Sequence, residues 1–376
     1  MKRAGIITFH CADNLGAVLQ AYALARVVDS LGVKAELIDY IPAKLVAPYG
    51  PFSNALEVLG GRGPLAGARA LLSGLKNLRF FARRRAAFAA FRAAHLPISR
   101  VRYRSSKALL RGAPHYDFYI TGSDQVWNPD FFVDLGGAYF LDFAPATSKK
   151  LSYAASIANK HVEDFAAFFK EYLPRFDAVS VRERSSVEFV SRFTEKPVQV
   201  TLDPSLLLSR QQWLDIAVAP GPLPRFILVY DLVKEPRLVD LVNKLALAND
   251  CKVISFSSRK GYLNWHGSFA TANPTEFLGL LEASQFVVTS SFHGTAFSVL
   301  FNKPFYTLLH PERGQRMQDL LTGLGLDDRV VTDPGQVPET LVPLDFGRAN
   351  GLLDQQRQAS LEYLKTALVS GIPDAD

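Results

Sequence analysis

The stretch "AGIITFHCADNLGAVLQAYALARVVDSLGVKAELIDY", Ala4 to Tyr40, decides the fold. "AGIITF" reads as a short apolar strand, and "LGAVLQAYALARVVDSLG" (Leu15 to Gly32) as a helix closed by Gly32. "KAELIDY" (Lys34 to Tyr40) is a second strand, stopped by Pro42. A strand, helix and strand joined in this way make a right-handed crossover, so the two strands are parallel. Open sheets of this kind bind ligands beyond the carboxyl ends of their strands. His10, Asp13 and Asn14 stand at the first such end.

Working outward, strand and helix signals keep alternating. A long, partly helical insertion is expected from about Pro42 to Pro114, holding the Gly-rich loop "LGGRGPLAG" and the basic helix "KNLRFFARRRAAFAAFRAAH", Lys76 to His95. "YDFYITGSD" (Tyr116 to Asp124) resumes the sheet, and "KLSYAASI", "AVSVRERSS" and "PVQVTLDPS" continue it. The Pro-rich "VAPGPLPR" (Val218 to Arg225) opens a second unit, where "FILVYDL", "RLVDLVNKLALAND", "CKVISFS", "PTEFLGLLEAS" and "FVVTS" alternate strand with helix. The fold class is therefore α/β, with two doubly wound, Rossmann-like domains facing each other across a cleft. The division expected is 1–217 and 218–345, with a last helix in 346–376 packing back on the first domain.

The 376 residues exceed a usual single core, and the composition is that of an ordinary globular protein. The two cysteines, Cys11 and Cys251, match no zinc or disulfide spacing, which suits reduced thiols in the cytoplasm. No stretch approaches the roughly 18 apolar residues needed to span a bilayer, and the N-terminus does not read as a signal peptide. The formal charge of +6 is uneven: the first hundred residues hold 14 Lys/Arg against 5 Asp/Glu. In the basic helix, Phe80, Phe81, Phe88 and Phe91 interleave with arginines. No nucleic-acid motif accompanies it, so the main expectation is an amphipathic helix with a solvated basic face. A peripheral contact with the inner face of the membrane is the minor one.

Several signatures are missing. The first strand–helix turn lacks G-x-G-x-x-G, no Walker A sequence occurs, and "FHGTAFS" is not the G-x-S-x-G elbow. No cluster has metal-ligand spacing. What stands out is "VVTSSFHGTAFSVLFNKPFY" (Val287 to Tyr306), where Ser290, Ser291, Phe292 and His293 open a helix directly after a strand. Free N–H groups and the positive helix end there can hold an anion. Gly122-Ser123-Asp124, Gln125 and Trp127 form a polar strand exit with an aromatic platform, and Asp124 could accept a hydroxyl proton or simply cap a turn. Arg182 and Arg184 leave a strand, where a guanidinium suits phosphate or carboxylate. Asp203-Pro204 is expected to shape a turn. Arg313 and Arg316 are placed to close the cleft.

In this order, "GIITFHCADNLGAVLQAYAL", "YDFYITGSDQVWNPDF", "YAASI", "SVRERSS", "LDPSLLL" and "SSFHGTAFSVLFNKPF" resemble the polysaccharide pyruvyl transferase family over most of residues 1–330. The resemblance implies two Rossmann-like domains arranged as in GT-B glycosyltransferases. It implies phosphoenolpyruvate as donor, a sugar or lipid-linked oligosaccharide diol as acceptor, and a pyruvate ketal as product, with no metal or other cofactor. By position, His293 matches the family's histidine at the second strand–helix junction and Arg182 its arginine after a first-domain strand. Many members have Arg-Leu-His where this chain has Ser291-Phe292-His293. The lost positive charge would fall to Arg182, Arg316 and backbone amides near Ser291 and Gly294.

The expected roles follow from that resemblance. His293 acts as general acid or phosphate ligand and Asp124 as base. Arg182, Ser290, Ser291, Gly294, Thr295 and Arg316 bind the donor. His10, Asp13, Asn14, Ser123, Gln125 and Trp127 face the acceptor. Two other readings fit the architecture: a nucleotide-sugar glycosyltransferase, and a non-catalytic glycan-binding protein.

Overall fold

The computed structural model describes residues 1–52, 72, 74–133, 135–159, 161–232, 236–256, 261–309, 314–341 and 343–369. The Gly-rich loop and Arg313 lie outside the described residues. In the first domain, β1 (Arg3–Ile7), α1 (Leu15–Ser30) and β2 (Lys34–Tyr40) form the expected crossover. The chain continues through α2 (Leu78–His95), β3 (Ile98–Tyr103), β4 (Phe118–Thr121) and β5 (Lys149–Ser152). The sheet order is β3-β2-β1-β4-β5, with every pairing parallel. Two further parallel strands, β6 (Val179–Val181) and β7 (Val198–Val200), join its edge through bridges from Leu151 to Ala178 and from Ala155 to Val181.

β3 lies inside the segment expected to be a partly helical insertion, where no strand was expected. "ISRVRY" gives little strand signal because it is an edge strand, and edge strands leave charged side chains in water. Arg100, Val101 and Arg102 are exposed, while Ser99 and Tyr103 turn inward.

The second domain repeats the plan. β8 (Phe226–Tyr230), α3 (Pro236–Ala248), β9 (Lys252–Ser255), β10 (Trp265–Ser268), α4 (Pro274–Ala283) and β11 (Phe286–Thr289) come first. α5 (Phe292–Leu300), β12 (Phe305–Leu308), α6 (Gln315–Leu324) and β13 (Val330–Val331) complete it. The order β10-β9-β8-β11-β12-β13 is again all parallel. Both sheets thus reverse direction of growth beside their first strand, between β1 and β4 and between β8 and β11. Those are the switch points where a ligand crevice opens. The last helix, α7 (Gly347–Val369), bonds to the first domain: Tyr363 donates to the Ser152 carbonyl at 2.8 Å and Arg357 to that of Leu206 at 2.8 Å.

One apolar cluster runs through both domains, and each domain adds a further cluster of its own. α1 is buried on nearly all faces because it lies between its own sheet and the second domain. Tyr22 of α1 meets Trp213 at 5.5 Å, and Trp213 meets Phe297 of α5 at 5.1 Å. Burial of each large apolar side chain contributes about 1.5–3 kcal/mol, so this contact fixes the facing of the two switch points. Gly32 ends α1 with φ of +83°, a conformation glycine adopts without the penalty a Cβ brings.

Candidate active site

The carboxyl ends of β1, β4, β8 and β11 converge on a cavity of about 310 Å³ between the domains. Asn14, Asp124 and Gln125 line it from the first domain, and Ser290, Ser291, Phe292, His293 and Arg316 from the second. Asn14 caps α1, accepting from Ala17 N at 3.2 Å. Ser291 caps α5, accepting from Gly294 N at 3.4 Å. Two helix N-termini therefore point into one space, each carrying partial positive charge. Asp124 adopts φ of +73°, a strained value for a residue with a side chain, and its Oδ1 accepts from Gln125 N at 2.9 Å.

His293 is buried at the domain boundary. Its Nε2 faces Asp203, which follows β7 of the opposite domain, with 3.5 Å between Nε2 and Oδ2. Its Nδ1 lies over Gly16 in the first turn of α1. A Cβ at Gly16 would stand 1.9 Å from that nitrogen, so glycine is required for the imidazole to sit there. The fully buried Asp203 joins most of the polar site. Its Oδ2 accepts from Arg182 Nη1 at 2.7 Å and from Ser123 Oγ at 2.9 Å, and its Oδ1 takes Ser205 N and Oγ at 3.0 and 2.7 Å. Burial alone would raise the Asp203 carboxyl, but His293, Arg182 and the Ser205 amide hold it well below the usual carboxylate range. Asp203 is thus a fixed anion.

Arg182 is buried. It bonds Asp203, reaches Glu183 Oε1 at 3.3 Å, and stacks its guanidinium on Phe292 at 4.3 Å. Burial opposes its charge, yet Glu183 and Asp203 keep its proton affinity raised above the ordinary arginine value. Arg316 approaches the same ring at 5.8 Å. The aromatic ring that stands in the Ser-Phe-His junction therefore gathers two guanidinium groups.

Other expected site residues lie apart from the cavity. His10 packs inside the first domain, with Nε2 3.4 Å from Asp39 Oδ1 and Nδ1 3.2 Å from the Thr8 carbonyl. Asp13 is tied to α2 through Arg92 at 2.9 Å. Trp127 is fully buried, stacked on Phe140 at 5.4 Å and bonded to the Tyr139 carbonyl, so it is a core residue and not an open platform. Gly294 and Thr295 serve packing: a Cβ at Gly294 would lie 2.2 Å from Thr289 Oγ1, and Thr295 bonds Thr307 at 2.8 Å. The close approach at Gly294 is thus to β11 and not to a ligand. Ser123 reaches the site only through Asp203 and Arg182.

Asp203 and Phe292 join the site without a local sequence signal that marks them for it. Asp-Pro after a strand reads as a turn, which it is on its Oδ1 side. Its other oxygen meets residues that only the folded chain brings near.

α2 also contributes. Arg84 donates to the Asp13 carbonyl at 2.9 Å and to the Ala270 carbonyl at 2.8 Å, spanning the two domains. Phe88 and Phe91 are buried in the core. The expectation of a solvated basic face therefore holds for Arg79, Arg83 and Arg85 but not for Arg84 and Arg92.

Comparison with curated proteins finds no significant match. Among solved structures, the glycosyltransferase SnogD from Streptomyces nogalater is 14% identical, with 98% of each chain covered and a TM-score of 0.43. UDP-GlcNAc 2-epimerase from Neisseria meningitidis, bound to UDP-GlcNAc, is 10% identical over 98% of this chain and 94% of that one, at 0.44. The Escherichia coli heptosyltransferase WaaC with ADP is 12% identical over 96% and 99%, at 0.40. Likeness this distant speaks to neither substrate nor mechanism. The family model described as polysaccharide pyruvyl transferase matches residues 14–311, from the cap of α1 to beyond β12 with His293, Asp203 and Arg182 inside it, and the chain belongs to that family.

Proposed function

We propose that this protein transfers the pyruvyl group of phosphoenolpyruvate to two hydroxyls of a sugar in a glycan or glycolipid precursor, forming a pyruvate ketal. The observation that carries the reading is His293, held between Asp203 and Gly16 at the edge of a cavity that also receives Asp124, Arg316 and two helix N-termini. The donor carries up to three negative charges, and Arg316 with the positive ends of two helices brings opposing charge to this cavity, although the Ser291 and Gly294 amides are already bonded to Thr289 and Ser291.

In the proposed reaction, imidazolium Nδ1 of His293 gives a proton to the methylene carbon of the donor. Asp203 opposite Nε2 stabilises that charged form and fixes the ring, as a carboxylate does for a histidine acid–base. The protonated donor has an oxocarbenium-like centre. The first sugar hydroxyl attacks it and yields its proton to Asp124. Phosphate then leaves, taking that proton, and the second hydroxyl closes the ketal while its proton returns to His293. The sum is donor plus diol giving ketal plus hydrogen phosphate, with both catalytic groups restored. Arg316, the N-terminus of α5 and the Ser291 hydroxyl face the donor's charge, whereas the Ser290 hydroxyl is committed to Asp231; Arg182 contributes through Asp203 and Phe292.

The test is incubation with phosphoenolpyruvate and a lipid-linked oligosaccharide extract, following inorganic phosphate and the mass of the glycan. The expected result is phosphate release matched by a glycan heavier by pyruvic acid less one water, and its loss in His293→Ala. Transfer of sugar from UDP-sugars with no such product would establish glycosyl transfer instead.

A further inference from the structure

We infer that the N-terminal part of α2, with the residues just ahead of it, docks the protein on an anionic lipid bilayer. From Val58 to Tyr116 the chain contains thirteen Lys/Arg and not one Asp or Glu. Among the described residues of that span, Arg79, Arg83, Arg85, Arg100, Arg104 and Lys107 are exposed. Leu72, Leu75 and Leu78 expose 58%, 53% and 42% of their surface just ahead of Arg79 in the chain, although leucine is ordinarily buried. Phe80 and Phe81 pack edge to face at 5.4 Å, both half-buried on the same stretch.

Exposed leucines flanked by arginines are what an interfacial helix presents: apolar side chains for the acyl boundary and cations for anionic headgroups. A nucleic acid would use the arginines but has no use for the leucines, so the combination favours a bilayer. The other half of α2 is committed elsewhere, through Phe88, Phe91, Arg84 and Arg92, and anchors the projecting half to both domains.

Location gives the surface a purpose. Pro48 and Tyr49 line the cavity that holds His293. The chain then runs to Phe52, whose ring lies against Gly74, ahead of α2. The bilayer-facing end of α2 therefore adjoins the mouth of the candidate active site. Resting here on the pyruvyl-transfer reading, the acceptor sugar would be presented on a membrane-held carrier lipid. The docking itself does not depend on that reading.

The test is flotation of the full chain with vesicles of phosphatidylcholine alone or with phosphatidylglycerol. Comparison is made with Arg79→Glu/Arg83→Glu/Arg85→Glu and with Leu75→Ser/Leu78→Ser, each checked for an unchanged circular dichroism spectrum and melting transition. Binding is expected to the anionic vesicles, weakened by salt, and reduced roughly a hundredfold by three charge reversals. The leucine variant should weaken binding about tenfold or more. Absence of binding to anionic vesicles at low salt would overturn the inference. So would vesicle binding that both variants leave unchanged, or binding to a single-stranded polynucleotide in preference to vesicles. Because no donor is used, failure here leaves the proposed chemistry standing, and the converse holds.

Discussion

Nε2 of His293 lies 3.5 Å from Oδ2 of Asp203, and the two residues belong to opposite domains. The same oxygen accepts from Arg182 and Ser123, so the carboxylate that orients the histidine is itself held by the first domain. Correct placement of the imidazole therefore depends on the two domains meeting.

Asp203→Asn keeps the shape but removes the fixed anion. Turnover is expected to fall roughly a hundredfold or more with little change in donor KM, because the histidine loses the carboxylate that orients it. Stability has its own signature. The folded-state pKa of Asp203 lies below its unfolded value of about 3.9, so its stabilisation is present above that pH and is lost as pH falls toward the folded value. The wild type should thus be more stable than Asp203→Asn at pH 7, with the gap narrowing below about pH 4 in chemical denaturation.

Gly16→Ala places a methyl group 1.9 Å from His293 Nδ1 unless something moves. The expected outcome is a loss of about 1–3 kcal/mol in stability together with a near-complete loss of activity, since the displaced group is the histidine. A variant with normal turnover would show that His293 can leave this position without consequence.

The two arginines on Phe292 should behave differently. Arg182→Ala leaves Asp203 and Glu183 buried without their cation and should cost about 3–5 kcal/mol in unfolding measurements. Arg316, only half-buried and lining the cavity, should cost far less stability when changed to alanine but raise the donor KM. Phe292→Leu should weaken donor binding through loss of the ring that gathers both guanidinium groups, by about 1–2 kcal/mol.

Cys11 offers a chemical check on the packing beside the site. Burial pushes its thiol up to about 12, with only partial relief from Arg92. At pH 8 it should stay unreactive toward a disulfide reagent in the native protein and react at once after denaturation. Rapid native labelling at Cys11 would mean that the segment after β1 opens readily.

The fold was legible where signals were local. The β1-α1-β2 unit announces itself through an apolar strand, a capped helix and a glycine stop, and each lies within a few residues of its cause. β3 was not legible, because an edge strand carrying Arg100 and Arg102 lacks apolar alternation. The site was half legible for the same reason. Strand ends pointed to Asn14, Asp124, Ser290 and His293, but β1 ends at Ile7 and the tight turn that follows, closed by Ala12 N on the Phe9 carbonyl, decides which side chains face the cavity. Phe9 thus lines the cavity while His10 turns to Asp39. Asp203 joined the site through contacts between domains, and no local pattern encodes those.

The measurement that tests the account most directly is the melting temperature of wild type and Arg316→Ala with phosphoenolpyruvate, UDP or GDP. A ligand at about a hundred times its Kd stabilises by roughly 2.7 kcal/mol, which a melting curve resolves. A clear rise is expected with phosphoenolpyruvate, much reduced in Arg316→Ala, and none with the nucleotides. A rise with UDP or GDP and none with phosphoenolpyruvate would contradict it.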